Sequence, residues 1–330
     1  MSELYDVAAI GNAIVDVIAP CDDAFLEREG LVKGSMQLVD AARSADLYSR
    51  MAKAIEASGG SAGNTIAGVA SLGGKAAYLG KVANDKFGDV FESDMRAQGV
   101  RFDTPRLIGG SPTAVCMINV TPDAQRTMCT SLGASTELTP DDVTDEVVEG
   151  AKIVYLEGYL FDPSEARRAF AKAAGLAHAQ QRLMAITLSD AFVVERHREA
   201  LMGFIETQCD IVFANEVEVK ALFQTDDFDA AAKALADKVA IAAVTRGAAG
   251  SLVLSGAERH EIAAAPVAQL VDTTGAGDQY AAGFLFGLAR ERSLEVCGKL
   301  GSLAAAEVIS HYGPRPAVSL KDLAAAQGLI

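Results

Sequence analysis

Basic residues are scarce: 29 Lys and Arg stand against 44 Asp and Glu, a net charge of −15. Charge-driven binding to nucleic acid or to an anionic membrane surface needs the opposite balance, so neither partner is expected. A phosphorylated small molecule stays open, because it needs only a local cluster of donors. Cysteine is sparse as well. Cys21, Cys116, Cys129, Cys209 and Cys297 are odd in number, scattered, and contain no C-x-x-C pair. That removes zinc-ribbon and thioredoxin-type readings and leaves reduced thiols in a cytoplasmic protein. His178, His197, His260 and His311 include no H-E-x-x-H or other metal spacing. No apolar run reaches about 18 residues, so no transmembrane helix is expected. The first residues, with Glu3 and Asp6, lack the basic and apolar segments of a secretory leader. A Walker A loop, G-x-x-x-x-G-K-[ST], is missing too.

What is present is a chain of 330 residues, half of them hydrophobic and 22% charged. That is enough to bury a core without disulfides or a structural metal. Apolar runs bounded by Gly, Asn, Asp or Pro predict strands at 5–11, 14–18, 76–82 and 114–120, with helices at about 43–57, 61–72 and 86–97. Further on the alternation is cleaner. Strands are expected at 153–157, 183–188, 211–214 and 240–245, with 251–254 paired to the last of these. Helices are expected between them at 163–180, 193–206, about 216–223 and about 228–237, and the tail is helical at 278–290, 293–309 and 319–328. Continuous apolar strands alternating with helices mean a mainly parallel, doubly wound α/β sheet covered on both faces. Segments at approximately 12–40 and 100–132 break the pattern with interleaved polar positions, which predicts a small β-sheet lid inserted in one domain spanning 1–330.

Two glycine motifs carry the chemistry. Gly59-Gly60-Ser61-Ala62-Gly63-Asn64 opens a helix of small residues. Glycines allow close backbone approach, and a helix start offers free N–H groups. Asp272-Thr273-Thr274-Gly275-Ala276-Gly277-Asp278 opens a second, apolar helix. Its Gly275, Ala276 and Gly277 amides form an anion cradle suited to phosphate. Asp278, in the first turn, is placed to take a proton from a hydroxyl that attacks a phosphoryl group. The G-A-G start resembles a dinucleotide fingerprint, but Tyr280 fills the third glycine position, far too late in the chain. Gly59 to Gly63 also satisfies G-x-S-x-G, which raises an α/β hydrolase using Ser61. That elbow needs a strand before the serine, and 51–57 reads as helix. A noncatalytic nucleotide sensor is a third reading, and it gains nothing from the presence of Asp278.

The pair GGSAGN and DTTGAGD, in that order and spacing, resembles the ribokinase-like (PfkB) family of carbohydrate and nucleoside kinases. The similarity runs from Ala9-Ile10-Gly11-Asn12 to the C-terminal helices. Gly11-Asn12 with Asp16, and the stretches ANDKFG (83–88), LSDAF (188–192) and DIVFANEVE (210–218), are most similar to the adenosine kinase branch.

The resemblance implies an ATP-dependent phosphotransferase with Asp278 as base and Gly275, Ala276 and Gly277 as anion hole. It implies that Asn12, Asp16, Gly59, Gly60, Ser61, Asn64 and Arg126 bind substrate, Arg126 from the lid. Asn215, Glu218, Thr245, Gly247 and Thr274 fall on nucleotide positions. Glu218 would help hold Mg2+ through water, and Asp272 matches a monovalent-cation (K+) site completed by carbonyls near 311–313. Met36, Leu132, Tyr159 and Phe161 are candidate walls for a purine slot. The implied acceptor is the 5′-hydroxyl of adenosine, giving AMP in purine salvage, with a free sugar such as ribose or fructose as the alternative. Gln279, Tyr280 and Glu157 depart from the family pattern. The implied state is monomer or homodimer.

Overall fold

A computed structural model describes residues 5–123 and 125–330. Glu3 lies outside the described residues. Nine strands form one sheet, in the order Glu258–Ile262, Ser251–Ser255, Ile241–Thr245, Ile211–Asn215, Leu183–Thr187, Ala151–Glu157, Tyr5–Ile10, Ala76–Leu79 and Val100–Phe102. All neighbours from Ile241–Thr245 to Val100–Phe102 run parallel, and the last two at the other edge are antiparallel. The interior strand Tyr5–Ile10 shows why the sheet is buried on both faces. Ala8 and Ile10 enter one apolar layer, Val7 and Ala9 the other, and all four are fully buried.

A second sheet has the order Met36–Leu38, Arg126–Ser131, Ala114–Val120, Ile14–Pro20 and Ile55–Ser58. One of its faces, including Val15, Val17, Met117 and Cys129, packs with Phe25, Leu26 and Leu47. Its other face carries Ile14, Asp16, Cys116, Ile118, Met128 and Thr130 towards a cavity. Period-two alternation thus gives this sheet one dry face and one face for a ligand.

Helix Asp23–Glu29 and strand Glu258–Ile262 appear where the sequence predicts neither, and two further elements contradict the expectation. The helix expected over 43–57 ends at Arg50, and Ile55–Ser58 is an edge strand antiparallel to Ile14–Pro20. Met51, Ala54 and Ile55 fit a helical period, but cross-strand pairing decides the conformation. Val100–Phe102 belongs to the large sheet, not the small one, because Phe102 packs against Tyr78 and Phe91. The small sheet therefore draws on 14–20, 36–38, 55–58, 114–120 and 126–131.

Helix Ser61–Ser71 and helix Ala276–Ala289 bring the two glycine motifs together. Their approach needs Gly68: a Cβ there would sit 2.2 Å from Gln279 Oε1 and 2.6 Å from Ala282 Cβ.

Candidate active site

The cavity has a volume of about 730 Å3, ample for a small ligand. Five adjacent parallel strands end in it or just short of it. Glu157, Thr187, Asn215 and Thr245 are the last residues of their strands, and Asn12 follows Tyr5–Ile10. Strand order reverses beside Tyr5–Ile10, where open α/β sheets form their ligand crevice.

Asp278 stands in the first turn of its helix. Its Oδ1 accepts from Ser61 Oγ at 2.6 Å and its Oδ2 from Asn64 Nδ2 at 3.0 Å. Burial pushes its pKa up to about 6, against those hydrogen bonds and the nearby Arg315 charge. Arg315 Nε donates to Asn64 Oδ1 at 3.3 Å, which turns the Asn64 amide so that its NH2 faces Asp278. Asp16 reaches into the cavity from the small sheet, also pushed up to about 6 by burial, with Arg315 and Arg126 opposing. Glu157 is 1% exposed and accepts from Asn12 Nδ2 at 2.7 Å and from the Ala62 N–H at 2.8 Å. Burial raises it to about 7.

The glycines have separate reasons. Gly60 has φ +81°, and a Cβ there would lie 2.2 Å from the Asn12 carbonyl oxygen. Gly59 lies outside the cavity lining, but its missing Cβ leaves room for the Asp16 carboxylate, 2.5 Å from where it would stand. Gly60→Ala should lower stability by about 1–3 kcal/mol, a melting-temperature drop of several degrees. Gly175→Ala, in a helix with nothing within 4 Å, should leave the melting temperature unchanged or slightly raised.

At the second motif, Gly275 caps the helix at φ +79°, tight against Pro314, and Gly277 is open. The Ala276 N–H already donates to the Thr273 carbonyl at 3.2 Å. An anion bound here would therefore rest on Gly275, Gly277 and the other first-turn amides, with Ala276 as spacer. Gln279, a departure from the family pattern, is fully buried and donates to the carbonyls of Asn64 (2.9 Å) and Pro314 (3.0 Å). It ties the two motifs to the C-terminal loop. Tyr280 bonds Ser251 at 2.7 Å.

Asn215 and Glu218 form a reciprocal capping box, with the Asn215 backbone N–H and Nδ2 both donating to the carboxylate, at 2.9 and 2.6 Å. Burial and the negative charges of Asp190 and Asp278 raise Glu218 to about 7. A divalent cation would relieve that concentration of charge. The described residues contain no group of three or more His, Cys, Asp or Glu able to hold a metal alone. The single buried carboxylate of Glu218, whose ionised form is disfavoured here, fits a metal held through water and phosphate oxygens.

Thr245 and Thr274 line the cavity, while Gly247 stands outside the lining. Arg126 also stands outside it: its guanidinium pairs with Asp272 at 2.8 Å. Of the purine-slot candidates, Met36, Leu132 and Tyr159 line the cavity. Phe161 is 2% exposed within the core. Leu38, Ile118 and Met128 extend the apolar wall. The hydrolase reading loses on different grounds from those expected. A strand does precede Ser61, but the Ser61 hydroxyl donates to a carboxylate, and no histidine lines the cavity. Arg315, which bonds Asn64 and places its charge near Asp16 and Asp278, carries no local signal in sequence, being a lone Arg in a Gly-Pro-Arg-Pro loop.

A glycine-rich helix start with a buried carboxylate in its first turn, facing a pocket that is polar at one end and apolar along its wall, is the arrangement of a kinase that acts on a small hydroxyl compound. The pfkB family carbohydrate kinase profile matches residues 6–320, and the chain belongs to that family of ATP-dependent kinases. It is 56% identical to adenosine kinase from Sinorhizobium meliloti, with a TM-score of 0.90 over 98% of this chain and 99% of that one. It is 51% identical to a probable sugar kinase from Rhizobium etli, with a TM-score of 0.92 over 100% of both. Adenosine kinase of Saccharomyces cerevisiae is 28% identical over 93% of this chain and 96% of its own.

Proposed function

We propose that this chain transfers the γ-phosphoryl group of ATP to the 5′-hydroxyl of adenosine, giving AMP. The observation that carries the substrate is the split character of the cavity. Asn12, Asp16, Asn64 and Asp278 form a polar end for a ribose, beside an apolar wall of Met36, Leu38, Ile118, Met128, Leu132 and Tyr159 for a purine. A free sugar would meet polar partners around its whole ring. The 56% identity to the Sinorhizobium meliloti adenosine kinase supports the same reading.

In this reading Asp16 accepts from the two vicinal ribose hydroxyls. Asp278 takes the proton of the 5′-hydroxyl as it attacks, and Ser61 and Asn64 hold its two oxygens in place. The Gly275 and Gly277 amides and the helix start hold the negative charge on the moving phosphoryl group. Asn215, Glu218, Thr245 and Thr274 face the nucleotide. The divalent cation is Mg2+, which when bound draws charge from the β- and γ-phosphates. The small sheet acts as a lid that keeps water from the phosphoryl group. A cytoplasmic role in purine salvage fits that substrate and the five cysteines that form no disulfide. No helix among the described residues is long and apolar enough to cross a membrane.

The base must be ionised to act, and Asp278 titrates near 6. We expect kcat/KM for adenosine to rise with pH through about 6 and to level off above it. Asp16 titrates in the same window and carries a like charge, so the apparent value belongs to the pair. Steady-state rates from pH 5 to 8 check this, and a profile that is flat or falls with pH removes the carboxylate base.

A further inference from the structure

A buried carboxylate needs a countercharge, and at Asp272 it comes from the other sheet. The Asp272 side chain is 9% exposed. Its Oδ1 accepts from the Thr274 N–H at 3.1 Å and from the Thr274 hydroxyl at 2.7 Å. Its Oδ2 accepts from the Gly313 N–H at 3.1 Å and pairs with Arg126 Nη2 at 2.8 Å. Arg126 begins strand Arg126–Ser131 of the small sheet, is 8% exposed, and lies 6.0 Å over the Tyr312 ring. The carbonyl-bearing segment at 309–313 does lie against Asp272, since Val271 and Asp272 donate to the Ile309 carbonyl. A K+ ion on this carboxylate, however, would meet a guanidinium where it needs an oxygen ligand. The residues present do not fit the monovalent cation that the family resemblance implies.

We propose that Arg126 is a tethered cation standing where a monovalent metal ion would otherwise sit. It is a positioning residue: it neutralises Asp272 and so fixes the loop from Thr273 to Gly277 that presents the anion-holding amides. Because Arg126 belongs to the small sheet, its charge arrives when that sheet covers the cavity. Closure and ordering of the cradle are then one event. Arg126 Nε and Nη1 have no acceptor among the described residues, so charge rather than a full set of hydrogen bonds holds the group. A spherical cation can therefore replace it when the side chain is shortened. The inference deepens the proposed kinase reading, since the cradle it sets is the one that receives the phosphoryl group.

The test compares KCl with tetramethylammonium chloride at equal ionic strength, using the full chain with ATP, Mg2+ and adenosine. Wild-type kcat should differ less than about twofold between the salts, whereas Arg126→Met in tetramethylammonium should lose about a hundredfold and recover at least tenfold in KCl. Melting temperature without substrate is the second readout. KCl should raise that of Arg126→Met by several degrees and leave the wild type unmoved. Wild-type enzyme activated tenfold or selectively stabilised by KCl overturns the proposal. So does Arg126→Met with wild-type kcat in tetramethylammonium, or with no response of rate and melting to KCl. Should the variant not fold, the wild-type comparison decides alone. Absence of turnover on adenosine in both salts would instead sink the substrate reading, and the melting temperatures would still decide this one.

Discussion

Asp278→Asn should lower kcat by about 10²–10⁴-fold, the usual contribution of a positioned general base. The amide keeps the shape and one acceptor for Ser61 or Asn64, but it cannot take the proton of the attacking hydroxyl. KM for adenosine should change little, because the ribose is held mainly by Asp16 and Asn12. The same variant carries a second readout with the opposite sign. Folded Asp278 holds its proton up to about pH 6, against an ordinary value of 3.8. Between those values the folded chain binds more protons than the unfolded one, so the ionised carboxylate opposes folding as pH rises through the window. Above it the full penalty is present. Asp278→Asn should therefore melt higher than the wild type at pH 8 and show no such gain near pH 4. A variant that was dead only because it misfolded would melt lower at both.

Asp16→Ala should fail differently. A carboxylate accepting from two hydroxyls loses about 1.5–3 kcal/mol per charged hydrogen bond, so kcat/KM for adenosine should fall a hundredfold or more. Most of that loss should appear in KM. A 2′-deoxyribose nucleoside, which lacks one of the two hydroxyls, should lose less on the variant than adenosine does. Equal losses for the two nucleosides would remove Asp16 from the ribose. Initial-rate kinetics over both acceptors decide it. Gly59→Ala, whose Cβ would lie 2.5 Å from the Asp16 carboxyl carbon, should displace that carboxylate and raise KM in the same way.

The parts of this molecule that were legible in sequence are the local ones. Runs such as Val7–Ile10 are apolar without interruption because both faces of the sheet are covered. The two helix starts are spelled by glycines whose reasons are conformational and close at hand. Gly60 needs a positive φ, and Gly275 abuts Pro314. What stayed hidden depends on partners far along the chain. Ile55–Ser58 has helical spacing and becomes a strand because Ile14–Pro20 offers it an edge. Arg315 reaches Asn64 across 251 positions, and no local pattern marks it. The resemblance implies that Arg126 meets substrate, whereas the distant Asp272 carboxylate holds it outside the cavity lining. Gln279 looked out of place in its motif until the backbone carbonyls of Asn64 and Pro314 came into range. Glu157, a departure from the family pattern, both ends its strand and lines the cavity.

The central claim is that this cavity phosphorylates a nucleoside with Asp278 as base. Its most direct test is ADP release from ATP and Mg2+ over adenosine, other nucleosides, ribose and fructose, with Asp278→Asn alongside. Turnover on adenosine at roughly 1–100 s⁻¹, with ribose and fructose near background and the variant silent, is the expected result. Turnover on a free sugar without turnover on adenosine, or an Asp278→Asn variant as fast as the wild type, would contradict it.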